Sequence, residues 1–408
     1  MLVWLLHNRV MTLCLGFFAG LVLILSAQAG DWPQWRGPDN NGTSNEKIQV
    51  PWPESGPQTL WTANVGTGYS SISVSQGRVY TMGNTNGEDT VWCLDAKTGK
   101  EIWKNSYTAR LDPQYYDGGP GSTPTVFEGR VFTLSKWGDV FCFDAAKGSV
   151  VWSEKLWNYG IRSNRWGFAG SPVIYRDLVI LNAGISGTAL ERATGRMAWF
   201  NGTNVAGYAT PQFFDGPNKQ VLIFAAKNLY SVDPITGQER WRFPFETGYD
   251  VNNTDPIIQG NRILLSSYSH GCTLLEVREK PEVVYEDKRA LRSHLSPGIL
   301  AGEYLYSFSG EANTTTDFRC LRFSTGEVKW SVKDPKNGSL ISVSGKLLIL
   351  SDKGELIAVE PTPDSFRPLA RTQVIDGLCW TPPSLANGCL FVRNSKGKVT
   401  CLDLGTKP

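Results

Sequence analysis

Residues 91–103 read "VWCLDAKTGKEIW". Alone, this is a short β-prone run, a tight turn and a second run. Asp95 can accept hydrogen bonds from the backbone N–H groups that follow it. Gly99 can take the positive φ that side chains resist. The stretch then recurs. "VFCFDAAKGSVVW" carries Asp144, Gly148 and Trp152, and "TALERATGRMAW" carries Glu191, Gly195 and Trp199. "LYSVDPITGQERW" carries Asp233, Gly237 and Trp241, and "FRCLRFSTGEVKW" has Arg322 in the acidic place, then Gly326 and Trp330. In all five the Gly falls four residues, and the Trp eight residues, after the acidic place. A Trp at one place of every unit is a packing residue between units. The stretch is scaffold: a β-hairpin, repeated.

Weaker copies complete the count. "CTLLEVREKPEVVY" puts Tyr285 near the Trp place, and "ELIAVEPTPDSFRPLA" keeps Glu360 but loses the Gly. "VTCLDLGTKP" begins a unit that has no Trp strand, while "QTLWTANV" (58–65) is a Trp strand with no hairpin before it. Trp61 therefore supplies the missing half of the last unit. Joining the two ends of the chain in one sheet closes a ring and removes a free edge. The spacings from Trp61 through Trp103, Trp152 and Trp199 to Trp241 are 42, 49, 47 and 42 residues, which suits one four-stranded blade each. Shorter strand pairs with Gln-Gly or Glu-Gly turns precede the hairpins, as in "SISVSQGRVYTM" and "STPTVFEGRVFTL". The expected fold is all-β: an eight-bladed antiparallel β-propeller over about residues 57–405, closed by an N-terminal strand.

Composition limits the function classes. Forty basic against 38 acidic residues give a net charge of +2, and no run of Lys or Arg forms a phosphate-binding stripe. Nucleic acid is not an expected partner. Arg9, an apolar run over 10–25 and "SAQA" (26–29) read as a secretory signal peptide cut after Ala29, which places the protein in the periplasm or outside the cell. The run is shorter than the ~20 residues a membrane span prefers, so no stable span is expected after cleavage. Cys14 leaves with that segment. Cys93, Cys142, Cys320 and Cys401 hold equivalent places in different repeats and read as small buried side chains rather than bridge partners. Residues 30–56, with Trp32, Trp35 and Trp52, are too short for a domain. They are expected to pack on the ring, because exposed Trp would drive association. The expected state is a monomer.

The repeated Asp-x-x-Thr-Gly-x-x-x-Trp pattern at Asp95/Gly99/Trp103, Asp144/Gly148/Trp152 and Asp233/Gly237/Trp241 resembles the PQQ-like, or quinoprotein-like, propeller repeat family. The resemblance spans nearly all of the chain after residue 29. "DWPQWRGPDNNG" (31–42) also looks like the leader of an exported bacterial branch of that family. The family includes quinone-dependent alcohol dehydrogenases, an outer-membrane assembly lipoprotein and exported proteins of no known activity. The motif is specific for fold and not for function.

Loops entering the first strand of each blade converge on the channel mouth of a propeller. Here they read "GTGYSS" (66–71), "QYYDGGPGSTP" (114–124), "RWGFAGSP" (165–172), "AGYATP" (206–211), "YDVNNTDP" (249–256), "LRSHLSP" (291–297), "KNGSL" (336–340) and "GLCWTPP" (377–383). Most end in Ser/Thr-Pro or a near variant. Repeat equivalence directs Tyr69, Tyr116, Arg165, Trp166, Tyr208, Asn252, His294 and Trp380 into one shared space, with Asp117 and Asp255 beside them. Aromatic walls with a few polar groups suit a flat, polar ligand. The family resemblance implies PQQ and Ca²⁺ as cofactors, with Asn252, Asn253 and Asp255 as the nearest oxygen ligands and Arg165 as the cation beside a quinone. The family's dehydrogenases also carry adjacent cysteines over the quinone, an Asp base and a Ca²⁺-binding Glu. This chain has no adjacent cysteines, and the other two match no position. No catalytic residue is assigned. The expected role is a ligand- or protein-binding scaffold. A PQQ-dependent alcohol dehydrogenase and an outer-membrane assembly scaffold are the alternatives.

Overall fold

Turn chemistry sets the repeat. Oδ1 of Asp95 accepts from the backbone N–H groups of Lys97 (3.1 Å) and Thr98 (2.9 Å) and from the Thr98 hydroxyl (2.8 Å). Gly99 sits at φ +69° and donates its N–H to the Asp95 carbonyl at 2.8 Å. The Thr98 hydroxyl bond, with the two backbone bonds, holds the Asp95 carboxyl below its ordinary range. Asp144 and Asp233 repeat the backbone pattern.

The computed structural model describes residues 30–405 apart from 205, 217, 313 and 315. The expected signal segment, 1–29, lies outside the described residues. No helix among the described residues is long and apolar enough to cross a membrane. The chain forms eight blades, each with a four-stranded antiparallel meander. Blade 1 is Ser73–Ser75, Arg78–Thr85, Glu88–Asp95 and Glu101–Thr108. Blades 2 to 7 begin at Thr125–Phe127, Val173–Tyr175, Gln212–Asp215, Ile257–Gln259, Ile299–Ala301 and Gly338–Val343. Blade 8 joins Ser384–Ala386, Cys389–Arg393 and Lys398–Asp403 to Gln58–Asn64 from the other end of the chain, with Trp61 opposite Cys401. This seals the ring as the orphan Trp strand required.

The repeated Trp is a key that fits the next blade. The indole N–H of Trp103 donates to the Ala145 carbonyl at 3.0 Å, and its ring covers Gly148, where an added Cβ would sit 2.5 Å away. Trp61 meets Ala96 and Gly99, Trp152 meets Arg192 and Gly195, and Trp199 meets Pro234 and Gly237 in the same way. Tyr285 is a true substitute, donating its hydroxyl to the Phe323 carbonyl at 3.1 Å over Gly326. Trp241 faces blade 5, whose turn has lost the Gly. Its indole nitrogen is buried without a partner.

The leader crosses the ring on the face of these turns. Trp32 is 1% exposed and exchanges both backbone bonds with Val74. Thr43–Ser44 adds a parallel strand to blade 7, and Glu46 accepts from the N–H groups of Asn387 and Gly388 in blade 8. Six of the described cysteines are buried and Cys389 is half-buried, all as free thiols.

Candidate functional site

The Ser/Thr-Pro signatures form a belt around the channel. The Ser71 N–H donates to the Thr123 hydroxyl at 3.0 Å, and the Thr123 N–H to the Ser171 hydroxyl at 2.9 Å. The Ser171 N–H donates to the Thr210 hydroxyl at 3.0 Å, and the Thr210 N–H to Oδ1 of Asp255 at 2.9 Å. The entry loops of blades 1 to 5 are thus each latched to the next. Asp255 is the blade 5 member of this belt, standing where the others have Ser or Thr.

Above the belt lies a cavity of about 570 Å³. Tyr69, Tyr116, Arg165, Trp166, Tyr208, His294 and Trp380 line it, as does Asp255. Seven of the eight entry loops contribute; the loop into blade 7 does not. Neighbouring rings lean on one another along the wall. Centroids are 5.5 Å apart for Tyr69 and Tyr116, 5.6 Å for Tyr69 and Trp380, and 6.1 Å for Trp166 and Tyr208. Burial pushes the Tyr69 phenol up to about 12, so it stays protonated. The Arg165 guanidinium lies 5.1 Å from the Trp166 ring centre and makes no ion pair among the described residues. His294 accepts the Ala312 N–H at Nδ1 (3.0 Å), which leaves its proton on Nε2, and its ring packs on Tyr268 at 4.3 Å. Desolvation drops the His294 pKa to about 4, so the ring is neutral.

Two predicted positions stand elsewhere. Asn252 does not line the cavity. It is fully buried, and its amide nitrogen donates to the carbonyls of Ala225 (2.8 Å), Ala226 (3.1 Å) and Phe245 (3.2 Å). It stitches the loops of blades 4 and 5, and Asn253 lines the cavity instead. Asp117 is held by Ser395 and Lys396, both at 2.6 Å.

The repeat pattern also missed residues. Trp35 comes from the leader and reaches the cavity from the far side of the ring. Its indole N–H donates to Oδ2 of Asp255 at 2.6 Å. Arg36, fully buried beside it, donates to the carbonyls of Asn41, Pro297 and Gly298. Burial raises the Asp255 carboxyl to about 6, with the Arg36 charge opposing. Tyr268 and Glu311 come from turns after second strands, which open on the same face as the entry loops. No loop motif marks them.

A Ca²⁺-quinone site does not fit these residues. Ca²⁺ takes about six to eight oxygen ligands. Both Asp255 oxygens already accept N–H donors, from Thr210 and Trp35. The Asn252 amide is tied to three carbonyls, and its Oδ1 is one buried oxygen without a partner. No cluster of three or more His, Cys, Asp or Glu suited to a metal occurs among the described residues.

A PQQ-type family model described as outer membrane protein assembly factor BamB matches residues 53–119 and 112–332. Quinoprotein ethanol dehydrogenase of Pseudomonas aeruginosa is 24% identical over 194 residues, 47% of this chain. The chain spans about a quarter (26%) of that relative's length. Among solved structures, BamB from Moraxella catarrhalis superposes with a TM-score of 0.63 at 17% identity, covering 86% of this chain and 98% of that one. Quinohemoprotein alcohol dehydrogenase from Comamonas testosteroni gives 0.66 at 14% identity, covering 94% and 82%. At such identities the likeness is one of fold. The relatives divide between an assembly factor and oxidoreductases.

Proposed function

The chain belongs to the PQQ-like β-propeller repeat family, and from that premise we propose that it is a binding scaffold whose small ligand sits in the aromatic cavity at the mouth of the ring. The observation that carries this reading is the convergence of seven entry loops on one cavity. The Trp keys and the belt of hydroxyls beneath the cavity already join the blades. The aromatic residues above the belt add a concave, mainly apolar wall with few polar groups, as ligand sites do. Two of them, Tyr115 and Tyr249, are 82% and 72% exposed and hold φ of +66° and +62°. Non-glycine residues seldom keep that conformation, and such strain gathers at ligand sites. The leading apolar segment and the exported relatives favour action in the periplasm or outside the cell.

Because Asp255 is engaged by Thr210 and Trp35 and the Asn252 amide by three carbonyls, the reading proposed is binding rather than catalysis through a calcium-bound quinone. Docking of a protein partner in outer-membrane assembly is the second reading. Its specific support is Trp157, 60% exposed, with the Arg162 guanidinium 3.7 Å from its ring centre.

Ligand-observed NMR with a library of polar ring fragments tests the cavity. Fragments that bind the parent and are lost in Arg165→Ala and Trp166→Ala support it. Fragments that bind all three alike would place the site elsewhere.

A further inference from the structure

Resting on the cavity being the ligand site, we propose that its ligand is a carbohydrate: a short oligosaccharide of pyranose rings. Three features of the wall select this class.

The first is ring orientation. Aromatic rings meet one another offset-stacked or edge to face, and a flat ligand sandwiched on both sides would need two wall faces set parallel. The adjoining wall pairs are inclined by 48° (Tyr69 and Tyr116), 31° (Tyr69 and Trp380) and 58° (Trp166 and Tyr208). None of these neighbouring pairs is a parallel stack, and a puckered sugar needs only one ring face for its C–H groups.

The second is the shape of the polar groups. Gln114, Asn253, Arg165 and Glu311 all line the cavity and all end in planar forks. Two amides offer donor and acceptor side by side, the guanidinium offers parallel donors, and the carboxylate offers two acceptors. Such forks match adjacent hydroxyls on a ring, each hydroxyl being both donor and acceptor. The neutral imidazole of His294 adds one N–H.

The third is charge. Arg165 stands on the entry loop of blade 3 and Glu311 on a turn of blade 6, and neither has an ion-pair partner among the described residues. Asp255 lies under the influence of Arg36. The lining is therefore nearly balanced. It lacks the cluster of cations that a polycarboxylate or phosphate ester needs, and it does not exclude an uncharged polyol.

The test is a calorimetric titration of the whole chain, with tryptophan emission followed in parallel. The probes are trisaccharides of glucose in α- and β-linkage, of xylose and of galacturonate. At least one of the neutral trisaccharides is expected to bind one-to-one and change the emission. Arg165→Ala, at an exposed position, and Trp166→Ala should each weaken it by about tenfold, while Trp157→Ala, off the cavity, should not. Binding of galacturonate alone, with every neutral sugar silent, would overturn the reading of a nearly balanced lining that takes an uncharged polyol. If no trisaccharide binds while planar aromatic fragments still bind in a Trp166-dependent way, the carbohydrate assignment is overturned and the cavity site stands. If neither class binds, both fall.

Discussion

The indole N–H of Trp35 donates a 2.6 Å hydrogen bond to Oδ2 of Asp255, 220 residues away in the chain. This bond ties the leader to the belt that latches the blades. It also decides the chemistry of Asp255. Its other oxygen accepts the Thr210 N–H, so the carboxylate offered by the sequence as a calcium ligand is a structural acceptor.

Trp35→Phe keeps most of the ring and removes this donor. A hydrogen bond to a charged acceptor contributes about 1.5–3 kcal/mol. Urea unfolding should show a loss in that range, with an unchanged m-value. A variant as stable as the parent would mean that the leader is not anchored here.

The Trp key makes a pair of predictions in adjoining blades. Trp103→Ala removes a side chain 7% exposed and should cost roughly 3–5 kcal/mol. Gly148→Ala should cost more than about 1 kcal/mol, because the position holds φ +70° and the new Cβ would meet the Trp103 ring. Thermal and chemical denaturation read both. A loss under about 1 kcal/mol for Trp103→Ala would remove it from the blade interface.

Trp152 and Trp241 separate ring packing from hydrogen bonding. Trp152 donates to the Arg192 carbonyl at 2.9 Å, whereas the Trp241 nitrogen is buried and unpaired. Trp152→Phe should therefore destabilise by about 1 kcal/mol more than Trp241→Phe. Equal losses would show that the indole bond adds nothing beyond the ring.

His294 gives a pH dependence of known sign. Its pKa falls from 6.5 to about 4 by desolvation. Between these values the unfolded chain binds the proton and the folded chain does not. Its stability contribution is thus complete above pH 6.5 and is lost as the pH falls towards 4. His294→Gln should flatten that part of the stability profile. The His294 ring resonances should titrate near 4, and a midpoint near 6.5 would place the ring in water.

The ring was legible in the sequence because turn chemistry repeats. Gly99 and Trp103 have equivalents in four other hairpins, Asp95 has acidic equivalents in three of them, and Trp61 told which end closes which blade. The entry loops were legible for the same reason, since Ser/Thr-Pro or a near variant marks most of them. What repeats do not mark stayed hidden. Trp35 lies in the leader, which has no equivalent in any blade. Tyr268 and Glu311 lie in turns of no common motif. Asn252 and Asn253 are adjacent, and successive side chains of an extended segment face opposite ways. One reaches the cavity and the other ties two loops together.

The central claim is that this propeller binds through an aromatic cavity without a calcium-held quinone. The most direct measurement is a calorimetric titration with PQQ, with and without Ca²⁺, followed by tryptophan emission. The account predicts that any heat is the same with Ca²⁺ present or absent. Tight one-to-one binding that requires Ca²⁺ would contradict it.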